Sequence, residues 1–155
     1  MRIYFAGPLF SAAERDWNAT LVAALRGAGH EVFLPQEQEP GKDAAAIFAS
    51  DVGGIDWADG LVAIMDGADP DSGTSWEVGY SYRKKPIVLV RTDIRSNAAS
   101  GGSGYNSMLA ESATIRVNAV AAPIDRVARE VLDALERLEA AYASSATSRS
   151  ARSIE

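Results

Sequence analysis

Hydrophobic positions along the chain fall into short continuous runs separated by stretches with helical spacing. Arg2–Gly7 (RIYFAG) is an apolar, aromatic run ended by Gly-Pro, which predicts a buried strand. Ser11 with Glu14 three residues on has capping-box spacing, and Trp17, Leu21, Ala24 and Leu25 share one helical face. Gly27 and Gly29 stop that helix, and His30–Pro35 (HEVFLP) reads as a second strand. A second helix is expected from about Asp43 to Val52, fraying at Gly53-Gly54. Gly60–Gly67 (GLVAIMDG) predicts a third strand, apolar on both faces like a central strand of a parallel sheet. A third helix is expected from Ser72 to about Arg83, followed by a fourth strand in Lys85–Thr92. A polar Gly/Ser-rich run, 93–106, precedes a weaker fifth strand in Ala113–Asn118. Ile124–Tyr142 is an amphipathic helix with Ile124, Val127, Val131, Leu135 and Leu138 on one face.

Strand and helix alternate throughout, so the pattern argues a parallel sheet covered on both faces. Right-handed crossovers then give an α/β, flavodoxin-like doubly wound sandwich with a five-stranded parallel sheet. It occupies one domain, 1–142, and the apolar-poor residues 143–155 are expected to form a disordered tail. Ligands in such folds sit beyond the carboxyl ends of the strands. Those ends hold Gly7–Phe10, Pro35–Gln36, Asp66–Thr74 and the residues after Arg91.

Composition narrows the chemistry. The 155 residues carry a net charge of -6, from 21 acidic and 15 basic residues, with no basic stripe. Nucleic acid is therefore not an expected partner. There is no cysteine, and His30 is the only histidine, so neither thiolate chemistry nor a metal site is expected. No cofactor motif is present: the phosphate-loop spacing and the Rossmann glycine fingerprint are both missing. The apolar start of the chain is broken by Gly7 and Pro8, too soon for a signal peptide or membrane span. A soluble, cytoplasmic protein is the expectation.

The turn Asp71–Tyr80 (DSGTSWEVGY) is the most specific stretch. One reading of Thr74–Glu77 is a capping box, with Glu77 returning to the amide of Thr74. The other makes Glu77 a reagent. A bare carboxylate can attack an anomeric carbon, because the transition state is oxocarbenium-like and already positive. A second group must then help the leaving group depart, and Asp51, Asp59, Asp66 and Asp71 are candidates at the same proposed end of the sheet.

The pairing of Asp71-Ser72-Gly73 with Glu77-Val78-Gly79-Tyr80 resembles the nucleoside 2-deoxyribosyltransferase family. The resemblance runs from IYFAGPLF through FASDVGGIDWADGLVAIMDG and SWEVGY to YNSM, about Met1 to Val117. It implies that Glu77 is the nucleophile taking the 2-deoxyribosyl group as an ester, and that Tyr4 orients it. It implies that Asp51 and Asp71 hold the base and handle its proton, with Phe10 as an aromatic wall. Gly7, Gln36, Asp59 and Gly73 join the implied substrate-binding set. Asn106 and Met108 match a segment reaching into a neighbouring subunit's site, where the asparagine holds the sugar 5′-hydroxyl; a homo-oligomer follows. The implied partners are deoxynucleosides and free nucleobases, and the implied reaction is base exchange with net retention. Two alternatives stay open: an N-glycosidase hydrolysing deoxynucleoside 5′-monophosphates, and a non-catalytic nucleotide-sensing module. Two departures bear on base preference, the bulky Trp76 before Glu77 and the Gly/Ser-rich run Arg95–Gly104.

Overall fold

Successive residues of a strand face opposite sides of the sheet, and the first strand shows what that does here. In β1 (Arg2–Ala6), Ile3 and Phe5 enter one buried cluster while Tyr4 and Ala6 enter another. The computed structural model describes residues 1–38, 41–95 and 106–152, with side chains as far as Ala141. After β1 come α1 (Ala12–Gly27), β2 (Glu31–Phe33), a single 3-10 turn (Pro35–Glu37) and α2 (Ala44–Trp57). These are followed by β3 (Gly60–Ile64), α3 (Ser72–Ser81), β4 (Ile87–Arg91), α4 (Ser107–Ser112), β5 (Ile115–Asn118) and α5 (Ile124–Arg152).

The five strands form one parallel sheet in the order β2-β1-β3-β4-β5, the doubly wound arrangement expected from the alternating pattern. Tyr4 lies opposite Leu61, and Val62 opposite Val88, so the central strands stack their apolar side chains in register. On one face, Ile3, Phe5, Val62 and Val88 pack against Leu21 and Leu25 of α1 and Val131 and Leu135 of α5. On the other, Tyr4, Leu61, Ala63 and Leu89 pack against Ile55 of α2, Val78 of α3 and Leu109 of α4. Each such side chain, fully buried, stabilises the fold by roughly 1.5–3 kcal/mol. Tyr4 is thereby committed to the α2–α3 side, which decides where its hydroxyl can reach.

Local signals set the helix starts. Ser11 and Glu14 make the expected capping box at α1, with the Ser11 hydroxyl accepting from the Glu14 amide and Glu14 accepting from the Ser11 amide. Asp43 caps α2 by accepting from the Ala46 amide.

Three elements differ from expectation. The second helix does not fray at Gly53-Gly54 but continues to Trp57. Gly54 is buried there against the Phe33 ring, where a Cβ would approach ring carbons to 2.8 Å. The glycine admits a close neighbour instead of ending the helix. The short α4 lies between the polar run 93–106 and the fifth strand, in residues to which the hydrophobic pattern assigns no element. Asn106 caps it by accepting from the Leu109 amide, and Leu109 and Ala110 are buried. The backbone of α5 runs past the expected boundary at 142. The Gly/Ser-rich residues 96–105 and the side chains of the expected tail 143–155 lie outside the described residues. Among the described residues no helix is long and apolar enough to cross a membrane.

Gly54→Ala should destabilise the fold by about 1–3 kcal/mol, the usual range for overpacking a filled site. The Phe33 ring that would have to move is stacked on Tyr4, with centroids 5.4 Å apart. Urea unfolding checks this; a midpoint unchanged from wild type would show that the ring gives way freely.

Candidate active site

Asp71 starts α3. Its carboxylate accepts from the Thr74 amide at 2.8 Å and from the buried Thr74 hydroxyl at 3.1 Å. The cap is therefore three residues earlier than the Thr74–Glu77 box considered from the sequence. Glu77 is left free of capping duty, and its carboxylate accepts a hydrogen bond of 2.5 Å from the Tyr4 hydroxyl. Tyr4 is itself wholly buried and stacked on Phe33, so the bond reaches a fixed donor.

The surroundings push Glu77 away from its ordinary ionisation. Burial is the largest cause and raises its pKa, the Tyr4 hydrogen bond opposes, and the charges of Asp51 and Asp71 raise it further. The result is a carboxyl with a pKa of about 7. A carboxyl shifted toward neutrality in a cleft by desolvation and neighbouring charges is a candidate functional group.

Two concavities flank the start of α3. One, of about 430 Å³, is an apolar recess between α2 and α3, lined by Ile47, Phe48, Asp51, Gly73, Trp76 and Glu77. Phe48 and Asp51 sit three apart on α2, which puts both on the recess side. Trp76 is held as its wall: it stacks on Tyr80 at 5.2 Å, and the Lys84 ammonium lies 3.3 Å from the Tyr80 ring centroid. Phe48 packs against Trp76 at 5.5 Å with the rings tilted. The other concavity, about 600 Å³, lies toward α1 and is lined by Phe10, Trp17, Asp66, Asp69, Asp71 and Arg95 among others.

The structure brings Tyr4, Asp51, Asp71, Gly73 and Glu77 together around these openings. Gly7 follows β1, where a Cβ would lie 3.3 Å from Ile64, and it lines neither opening. Phe10 lines the larger cleft and is 77% exposed. Asn106 caps α4, and Met108 on its first turn is 84% exposed.

Two expected residues are employed elsewhere. Gln36 is buried, donating to the Arg15 carbonyl and accepting from Asn18, which fastens the turn after β2 to α1. Asp59 immediately precedes β3 and so lies at the amino edge of a parallel sheet, one strand length from the carboxyl edge where Glu77 sits. It accepts from the Arg2 amide and guanidinium at 2.9 and 2.6 Å. It does not join the site. No group of residues suited to holding a metal ion occurs among the described residues. Sequence reasoning passed over Phe48, although its helical spacing from Asp51 was readable. It also passed over Arg91, whose signal is a cation ending an otherwise apolar strand.

The protein is a flavodoxin-like sandwich with a half-buried, tyrosine-bonded carboxylate beyond the strand ends, on the α2–α3 side of the sheet. The chain belongs to the nucleoside 2-deoxyribosyltransferase family, whose model matches residues 3–120. It is similar to a conserved protein from Enterococcus faecalis V583, with 28% identity, a TM-score of 0.66 and coverage of 86% of this chain and 98% of that one. It is also similar to a 2-deoxyribosyltransferase from Bacillus psychrosaccharolyticus, with 28% identity, a TM-score of 0.65 and coverage of 83% and 90%. A CMP N-glycosidase from Clostridium botulinum shares the fold at 18% identity and a TM-score of 0.59, with coverage of 89% and 99%. No curated protein sequence matches the chain significantly.

The Glu77 pKa of about 7 makes a stability prediction. Its value in the unfolded chain is near 4.5, so between 4.5 and 7 the folded state holds the proton and the unfolded state does not. Stability is lost as pH rises through that window, and the full cost, roughly 3 kcal/mol, is present above it. Glu77→Gln keeps an acceptor for Tyr4 without the charge, so it should melt higher than wild type at pH 8 and about equally at pH 4.5. Melting curves across that range check it, and parallel pH profiles for the two proteins would contradict it.

Proposed function

We propose that the protein exchanges nucleobases on 2′-deoxynucleosides through an ester between Glu77 and 2-deoxyribose. The observation that carries this is the half-buried Glu77 carboxylate held at 2.5 Å by the Tyr4 hydroxyl, with Asp51 and Asp71 beside it. A Glu77 oxygen attacks C1′ of the nucleoside, the C1′–N bond breaks, and its electron pair leaves with the base. Asp51 and Asp71 hold the departing base and manage its proton. A second base then attacks C1′ from the vacated side, loses its proton and frees Glu77. Each step inverts the anomeric centre, so the product retains its configuration. Tyr4 orients the carboxylate, and Phe48 and Trp76 give the recess apolar walls. Because the attacking group must be ionised, the rate should rise with pH through the Glu77 pKa.

Hydrolysis is the second reading, supported by the fold shared with the CMP N-glycosidase from Clostridium botulinum, where water would take the place of the second base. The cleft beside Asp71 argues for nucleosides over 5′-monophosphates. Asp66, Asp69, Asp71 and Asp93 line it, and Arg95, a cation in that lining, is spent on Asp93. Like charges about 4 Å apart cost on the order of 4 kcal/mol at an effective dielectric of 20.

Product analysis with thymidine or deoxyinosine, with and without a second free base, tests the proposal. The expected result is a new deoxynucleoside only when the second base is present, and none at all from Glu77→Ala. Base release at one rate regardless of the acceptor would favour hydrolysis instead.

The proposal includes an assembly in which Asn106 and Met108 complete a partner's pocket, consistent with α4 lying beside α3 and with the exposed Met108. Mixing inactive Glu77→Ala with inactive Asn106→Ala should then restore about a quarter of wild-type activity, because mixed dimers hold one intact site. No recovery after subunit exchange would place the whole site within one chain.

A further inference from the structure

Seven residues, 65–71, connect β3 to α3 and end in the Asp71 cap. A connection of that length would wander unless something outside it held its course. The holder is on the next strand. Arg91, the last residue of β4, is only 3% exposed. One arm of its guanidinium donates to the Met65 carbonyl at 2.7 Å and the other to the Gly67 carbonyl at 3.0 Å. The residues after it complete the grip from the other direction. The Asp66 carboxylate accepts from the Thr92 and Asp93 amides and from the Thr92 hydroxyl, and Asp93 accepts from the Gly67 amide. Gly67 itself has a φ of +109°, and a Cβ there would meet the Asp69 carbonyl at 2.8 Å. The first half of the loop is therefore pinned to β4, and its far end is pinned by Asp71 to Thr74.

We propose that Arg91 is a positioning residue for the reaction: it fixes the course of loop 65–71 and thereby the place of Asp71 relative to Glu77. This rests on the assignment of Glu77 as the reacting carboxylate. The fork matters as much as the charge. A lysine ammonium is a point donor on a flexible stem and does not reproduce two divergent bonds to two carbonyls. Removing the guanidinium leaves the buried Met65 carbonyl and the part-buried Gly67 carbonyl without that donor, and the loop relaxes to find others. Asp71 is then held beside Glu77 only by its bonds to Thr74, and its place is less closely fixed.

Glu77 reports this directly. The groups that face it are Tyr4 from β1, Asp51 from α2 and Asp71 from the start of α3. Of these only Asp71 is carried by the loop that Arg91 holds. If the loop relaxes, the Asp71 charge moves off and the rate rises with pH at a lower midpoint than in wild type.

The test is the pH dependence of base exchange by wild type, Arg91→Lys, Asp71→Asn and the double variant, with melting curves to confirm folding. Arg91→Lys should lose about tenfold or more in kcat, in line with misplacing a reacting group. Its KM for the deoxynucleoside should change far less, and its midpoint should fall. In the Asp71→Asn background, Arg91→Lys should not move the midpoint further, since the charge whose place it fixes is gone. A kcat loss with an unmoved midpoint would make Arg91 a core pin and no more, and an unchanged kcat would remove its role altogether. Should Arg91→Lys fail to fold, Thr92→Val, which removes one hydroxyl bond to Asp66, decides by the same two readouts. A wild type that releases no base from any deoxynucleoside would overturn the proposed function itself. An active wild type with an unaffected variant would overturn only the role of Arg91.

Discussion

The hydrogen bond from Tyr4 to Glu77 joins residues 73 positions apart, and most of the structure can be seen as the means of holding it. Tyr4 is fixed because the alternation of β1 puts it on the α2–α3 face, under Phe33 and against Leu61. Glu77 is fixed because Asp71, rather than Glu77, caps α3, and because the next residue, Val78, is buried in the same cluster as Tyr4. A short hydrogen bond stabilises the ionised carboxylate while burial and two nearby aspartates destabilise it. The balance leaves an acid that can be ionised at neutrality yet is short of solvation, which suits a nucleophile toward a positively charged centre.

Charge is distributed unevenly over the molecule. Carboxylates gather at the carboxyl edge of the sheet, in Asp51, Asp66, Asp69, Asp71, Asp93 and Glu77. The amino edge carries Arg2, Lys84 and Lys85 opposite Asp56, Asp59 and Glu139. There Lys85 donates to the Ala58 carbonyl and so satisfies the end of α2. An acidic edge of this kind disfavours anionic ligands and favours positive charge that develops beside it.

Much of the fold was legible in the sequence, because it rests on periodicity. GLVAIMDG reads as a central strand because it is apolar on both faces, and Ser11-x-x-Glu14 reads as a capping box from its spacing. Glu77 was singled out by the Asp71–Tyr80 motif and its resemblance to a known family, and in the fold Tyr4 bonds to it while Asp51 and Asp71 lie near. What escaped depends on contacts between distant segments. Gly53-Gly54 looked like a helix end because glycine's usual local meaning is a break; only the Phe33 ring explains why a helix should keep Gly54. Asp59 was grouped with the other aspartates because linear proximity to Asp66 hides that a strand separates them and puts them at opposite edges. The cap at Asp71 rather than Thr74 turned on a three-residue shift that local spacing does not resolve, and both readings fit the letters DSGTSWE.

The central claim is that Glu77 forms a covalent bond to the sugar. A 2′-fluorinated deoxynucleoside tests it most directly, because fluorine at C2′ disfavours the positive transition state and slows breakdown of the ester. Intact-protein mass spectrometry should show the chain heavier by one fluorodeoxyribosyl group, and peptide mapping should place that group on Glu77. A sugar found on another residue, or base released with no adduct at any time, would contradict the account.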